Sequence, residues 1–174
     1  MELTWVSDLG LEVRISEKKR EKLMKMQRLM IASLFAASLI PVAGAADRKF
    51  INLPRPADTA TLPFSDGVLV GNTLYIAGHI GLDAKTGQPP ASPEDEARLA
   101  MDGIKQTVEQ AGLSMDDVVS LQIFCTDLKL YETFNTVYKT YFHGRYPARA
   151  FIGVDKLVRN GRFEVLGIAI KREK

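Results

Sequence analysis

Val68-Leu69-Val70-Gly71-Asn72-Thr73-Leu74-Tyr75-Ile76-Ala77 opens the folded pattern of the chain. Two β-rich runs are separated by two residues that tolerate a positive φ, which is the signature of a tight hairpin. Downstream come Gly78-His79-Ile80-Gly81, the turn Asp83-Ala84-Lys85-Thr86-Gly87 and Pro89-Pro90. Ser92-Pro93-Glu94-Asp95 then opens a helix, with Ser as cap, Pro at the first helical position and acids in the first turn. Ala97, Met101, Ile104, Val108 and Ala111 recur at three and four and give that helix one apolar face, which Gly112 ends. Val119, Leu121, Ile123 and Cys125 alternate as a strand. Tyr131, Phe134, Val137, Tyr138 and Tyr141 form a second helical stripe, read as core packing. Residues 150–154 and 163–170 read as the last two strands. The order β-β-α-β-α-β-β predicts an α+β domain, a mixed sheet with two helices on one face.

Upstream, residues 47–63 read as an extended lead-in broken by Leu53-Pro54-Arg55-Pro56. Before it, Met24-Lys25-Met26-Gln27-Arg28, the uncharged run from Leu29 to Ile40, and Pro41-Val42-Ala43-Gly44-Ala45 have the three parts of a secretory signal peptide. The apolar run is short for a membrane span. Residues 1–23 carry an unusual charged preface for such a leader, and the purine-rich codons expected for Arg20-Glu21-Lys22 fit a ribosome-binding site. The expected organisation is therefore a mis-assigned extension over 1–23, a signal peptide over 24–45 and a domain over 46–174. The expected product is periplasmic or secreted, without a membrane anchor after cleavage, and cytoplasmic if the leader is not processed.

Of 23 basic and 21 acidic residues, seven and five lie in residues 1–45, which leaves sixteen of each for the domain. A neutral domain whose basic runs are no longer than the pairs Arg48-Lys49 and Lys171-Arg172 offers little to a nucleic acid. The single cysteine, Cys125, sits in an apolar strand pattern and reads as a small buried side chain. His79 and His143 form no metal-ligand spacing.

Tyr146-Pro147-Ala148-Arg149 places a permanent charge at the head of an apolar run, and Glu164 follows in Arg162-Phe163-Glu164-Val165. An Arg fork fits a carboxylate bidentately and a Glu can hold a water or move a proton. Two readings follow: a pocket for a small carboxylate with an acid/base group nearby, or a structural Arg–Glu ion pair. If Asn160-Gly161 closes a two-residue hairpin, Arg149 falls opposite Arg172 instead of Glu164. The final strand is apolar on both faces, at Val165 and Ala169 and at Leu166, Ile168 and Ile170, which points to self-association through the second sheet face.

From about Phe50 to Arg172 the chain resembles the RidA/YjgF family of enamine/imine deaminases. The resemblance rests on 71–80, Asp83-Ala84-Lys85-Thr86-Gly87, the Ala-x-Gly end of the first domain helix, Thr126-Asp127-Leu128, Phe134-Asn135-Thr136-Val137-Tyr138, Tyr146-Pro147-Ala148-Arg149 and 163–169, in that order. It implies a chorismate-mutase-like fold, a homotrimer with clefts between subunits, and hydrolysis of 2-enamine/2-imino acids to 2-keto acids and ammonia. No metal or organic cofactor is implied. By the same resemblance Arg149 holds the substrate carboxylate and Glu164 orients the attacking water. Asn135 is a polar residue at the cleft, Gly78 admits ligand to the backbone, and the Phe151 backbone meets the imine nitrogen.

The chain departs from the family pattern at three places. Leu62-Pro63-Phe64-Ser65 stands for Gly-Pro-Tyr-Ser, so Phe64 lacks the cleft hydroxyl. Ala77-Gly78-His79 stands for Ser-Gly-Gln, and Phe151 replaces a cysteine or threonine. A non-catalytic trimer that binds small carboxylates or a partner is the alternative expectation. A ribonuclease or translation inhibitor is the third.

Overall fold

The computed structural model describes residues 16–36, 47–55 and 62–172. The chain divides between Gly44 and Ala45 into two units. In the first, helix α1 runs over Glu17–Ala36, across the expected boundary at Met24. Residues 37–46, with the expected cleavage site, lie outside the described residues. Among the described residues no helix is long and apolar enough to cross a membrane.

The second unit holds β1 (Arg48–Ile51), β2 (Gly67–Val70), β3 (Thr73–Ile80), α2 (Pro93–Gln110), β4 (Val118–Cys125), α3 (Tyr131–Tyr138), β5 (Ala148–Gly153) and β6 (Phe163–Ile170). These strands form one mixed sheet in the order β1-β2-β3-β6-β4-β5. The predicted hairpin forms, with Val70 paired to Thr73 and Gly71 at φ 57°. Ser92 caps α2 through the Asp95 N–H, as its sequence requires.

Two expectations need correction. The lead-in is partly a strand: Arg48 to Ile51 pair antiparallel with β2, because Ile51 carries the segment into the core at 1% exposure. The last two strands are not neighbours. β4 lies between them, parallel to β5 and antiparallel to β6. A parallel pair needs a crossover connection, and α3 supplies it. Asn160-Gly161 does mark a turn, with Arg159 and Asn160 at positive φ, but it closes no two-residue hairpin.

Strand alternation sorts the two faces. Leu74, Ile76, Leu121, Ile123, Phe163 and Val165 are buried with Ala97, Met101 and Ile104 of α2 and Phe134 and Val137 of α3. Each large side chain so buried contributes about 1.5–3 kcal/mol. The other face carries Phe50, Tyr75, Leu166, Ile168 and Ile170, with Phe50 62% and Tyr75 53% exposed.

A buried carboxylate fixes the start of β6. Glu96, in the first turns of α2, is fully buried. It pairs with the Arg162 guanidinium and accepts the backbone N–H groups of Arg162 and Phe163. Arg162 also donates to the carbonyls of Ala91, at 2.9 Å, and Pro90. Breaking such a pair from one side costs about 3–5 kcal/mol, because the remaining charge stays buried. The structural ion pair considered from sequence between Arg149 and Glu164 is not among the ion pairs of the described residues, and the buried Arg–Glu pair is Arg162 with Glu96.

Candidate active site

Arg149 lies on the edge strand β5, in register with buried Leu121, so its side chain leaves the sheet on the helix-covered face. There α3 meets it. Tyr131, Asn135 and Tyr138 are spaced at i, i+4 and i+7 and therefore share one helical stripe. Arg149 Nη1 donates to Asn135 Oδ1 at 2.7 Å and Nη2 donates to the Tyr131 hydroxyl at 3.1 Å. The guanidinium carbon stands 4.7 Å from the Tyr138 ring centre, 5.5 Å from that of Tyr131 and 5.9 Å from that of Phe151. Arg149 enters none of the ion pairs among the described residues. The group opens into a cleft of about 420 Å³, with Tyr146, Pro147, Glu132 and Lys139 completing its walls.

A guanidinium held by two neutral oxygens and flanked by aromatic faces is immobilised with its charge uncompensated. That arrangement suits a carboxylate ligand. Tyr138 borders the charge as a neutral phenol: burial pushes its pKa up to about 12, against the pull of Arg149. Its hydroxyl has no hydrogen-bond partner among the described residues. Phe151 packs edge-to-face with Tyr131, at 5.0 Å and 85°, and with Phe134, at 5.6 Å. It therefore buttresses α3 on the helix side.

Glu164 lies elsewhere. It pairs with Ile80 on one side and Phe124 on the other, between buried Phe163 and Val165, and so faces the open side of the sheet. Gly78 sits beside it, in a bulge of β3 between Ile76 and His79. A Cβ on Gly78 would lie 2.0 Å from Glu164 Oε1, so this position admits only glycine while the carboxylate keeps its place. Phe64 is 52% exposed and two residues before Asp66, whose carbonyl takes the Ala77 N–H at 2.9 Å. It belongs to the Gly78 end of the sheet.

The structure brings Arg149, Asn135 and Phe151 together, and Glu164 and Gly78 together, but it does not join the two groups within one chain. Leu121 is in register with both Arg149 and Gly167, so Glu164 is two strands over and three residues along. Those steps are each about 10 Å, and the two side chains leave opposite faces. Because Asn160-Gly161 closes no two-residue hairpin, the Arg149–Arg172 juxtaposition that such a hairpin would bring does not arise, and Arg172 pairs with Asp117 at 2.7 Å.

His79 and Cys125 are structural. The Thr107 hydroxyl donates its proton to the Gly103 carbonyl at 2.9 Å, so at 3.0 Å from His79 Nε2 it accepts. Burial lowers the His79 pKa, and the nearby Asp66 charge opposes that. The Cys125 thiol donates to the Asp127 carbonyl at 3.1 Å, and burial raises its pKa.

Sequence reasoning missed Tyr131, Tyr138 and Tyr146, the first two because the aromatic stripe of α3 reads as core. Phe134 and Val137 are core, but the flank bearing Tyr131 and Asn135 faces Arg149. The spacing of Asn135 within that stripe was the available signal.

The profile of the endoribonuclease L-PSP family matches residues 55–171. The chain belongs to this family, also called RidA/YjgF. A relative from Dermatophagoides farinae, named 2-iminobutanoate/2-iminopropanoate deaminase, is 38% identical over 109 residues, covering 62% of this chain and 85% of its own length. An Escherichia coli K12 protein of the same name is 34% identical over 119 residues, covering 67% and 93%. The structure of E. coli TdcF with bound serine superposes with a TM-score of 0.65 at 34% identity, covering 71% of this chain and all of that one. The α+β fold with its mixed six-stranded sheet is thus the RidA/YjgF fold.

Proposed function

We propose that this RidA/YjgF protein hydrolyses 2-imino acids, and the enamines in equilibrium with them, to 2-keto acids and ammonia. The observation that carries the proposal is the Arg149 guanidinium, fixed by Asn135 and Tyr131 in an open cleft and in no ion pair among the described residues. The names of the relatives support the reaction class. Arg149 binds the substrate carboxylate, a charge-assisted contact of about 1.5–3 kcal/mol, which corresponds to ten- to a hundredfold in affinity.

Glu164 supplies the second half of the chemistry. Its carboxylate takes a proton from water as the oxygen attacks the iminium carbon. Glu164 then returns that proton to the nitrogen of the tetrahedral adduct, which leaves as ammonia, and the hydroxyl loses its proton to the ammonia as the C–O bond becomes the keto group. One iminium acid and one water yield one keto acid and one ammonium ion. Side chains on opposite faces of one sheet cannot serve one substrate, so the site takes Arg149 from one copy and Glu164 with Gly78 from a neighbour. The apolar open face with Tyr75, Leu166, Ile168 and Ile170 supports assembly of such copies, and a trimer is the assembly we propose. Export by the 24–45 leader belongs to the same proposal and is read from the mature N-terminus, expected near Ala46 in a periplasmic extract.

The test uses imino acids generated in situ by an amino-acid oxidase, with ammonia and keto-acid release followed. The protein should accelerate hydrolysis and Arg149→Ala should abolish the acceleration while the assembly survives. No acceleration across small, branched and aromatic imino acids would replace catalysis with carboxylate binding.

A further inference from the structure

We propose that Tyr131 is a second carboxylate-binding group, acting with Arg149 and supplying a hydroxyl that Phe64 lacks. The inference rests on the reading of the Arg149 cleft as a carboxylate site. A phenol has one proton to donate and an oxygen that accepts. The Tyr131 oxygen accepts from Arg149 Nη2 at 3.1 Å. Its own proton therefore points away from Arg149, and no described residue accepts it. Tyr131 is 40% exposed and lines the cleft, so that proton is available to a ligand there.

Acceptance from the cationic Arg149 also makes the phenol a better donor, since hydrogen bonds in a chain polarise one another. One oxygen of a bound carboxylate would then take an Arg149 N–H and the other the Tyr131 O–H. Ring position is set by Phe151, which packs edge-to-face with the Tyr131 ring at 5.0 Å. Phe151 thus acts on the ligand through Tyr131, as a positioning residue.

Two readouts on the full assembly test this: Kd for 2-oxobutanoate, a product-type carboxylate measurable without turnover, and the KM and kcat of imino-acid hydrolysis. Tyr131→Phe keeps the ring and removes only the hydroxyl. It should weaken 2-oxobutanoate about tenfold and raise KM by a similar factor, with kcat little changed. Tyr141→Phe is the control, because its hydroxyl bonds Asp102 at 2.6 Å and the Arg98 carbonyl, and it should leave Kd unaltered.

Equal Kd values for wild type and Tyr131→Phe would overturn the proposal, as would failure of the wild type to bind the keto acid. Binding that depends on Tyr131 in a protein without turnover would uphold the proposal and defeat the deaminase reading alone.

Discussion

At the scale of single residues, the site depends on what surrounds a charge. Arg149 is held without neutralisation, by two oxygens and aromatic faces, whereas Arg162 is neutralised by Glu96 and serves the fold. The glycine at 78 is the sharpest local constraint. A methyl there would occupy the place of Glu164 Oε1, yet the obstructing atom ends a flexible side chain that can swing aside. Gly78→Ala should therefore lower kcat at least tenfold while the thermal midpoint shifts by only a few degrees. A variant with normal kcat would show that Glu164 need not occupy its observed position. Arg149 and Glu164 were legible as candidates because a charge stands out beside apolar strand residues. Their placement on opposite faces was not, since it depends on which strand separates β5 from β6.

At the scale of elements, local chemistry was legible and pairing partners were not. The Gly71-Asn72 turn and the Ser92-Pro93 helix start act over a few residues, and both form as read. β1 was hidden because four residues before a proline-bearing segment show too little alternation; its pairing is decided by the burial of Ile51. Asn160-Gly161 reports a turn but cannot report the insertion of β4, a nonlocal event. The β3–α2 contact also sets a pH response. His79 is neutral in the folded protein, its pKa held below the ordinary 6.5 chiefly by burial. Below pH 6.5 the unfolded chain takes a proton that folded His79 resists. Stability is therefore lost from about pH 6.5 downward until the folded pKa is reached, and this contribution is constant above that window. Urea midpoints at pH 7 and pH 5 should differ less in His79→Gln than in the wild type, and an equal difference would exclude His79 as a source.

At the scale of the whole molecule, one sheet face is sealed by α2 and α3 and the other is open and apolar, with Phe50 and Tyr75 more than half exposed. The two halves of the proposed chemistry are divided between these faces, so on that proposal one copy is incomplete and a neighbour completes it. Complementation tests this most directly. Arg149→Ala and Glu164→Gln should each be inactive alone. Co-assembled from equal amounts in random order, they should recover about a quarter of wild-type turnover, the fraction of boundaries that unite an intact Arg149 with an intact Glu164. Mixed assemblies that form, as shown by differently tagged subunits co-purifying, yet remain as inactive as either parent would contradict a site shared between copies.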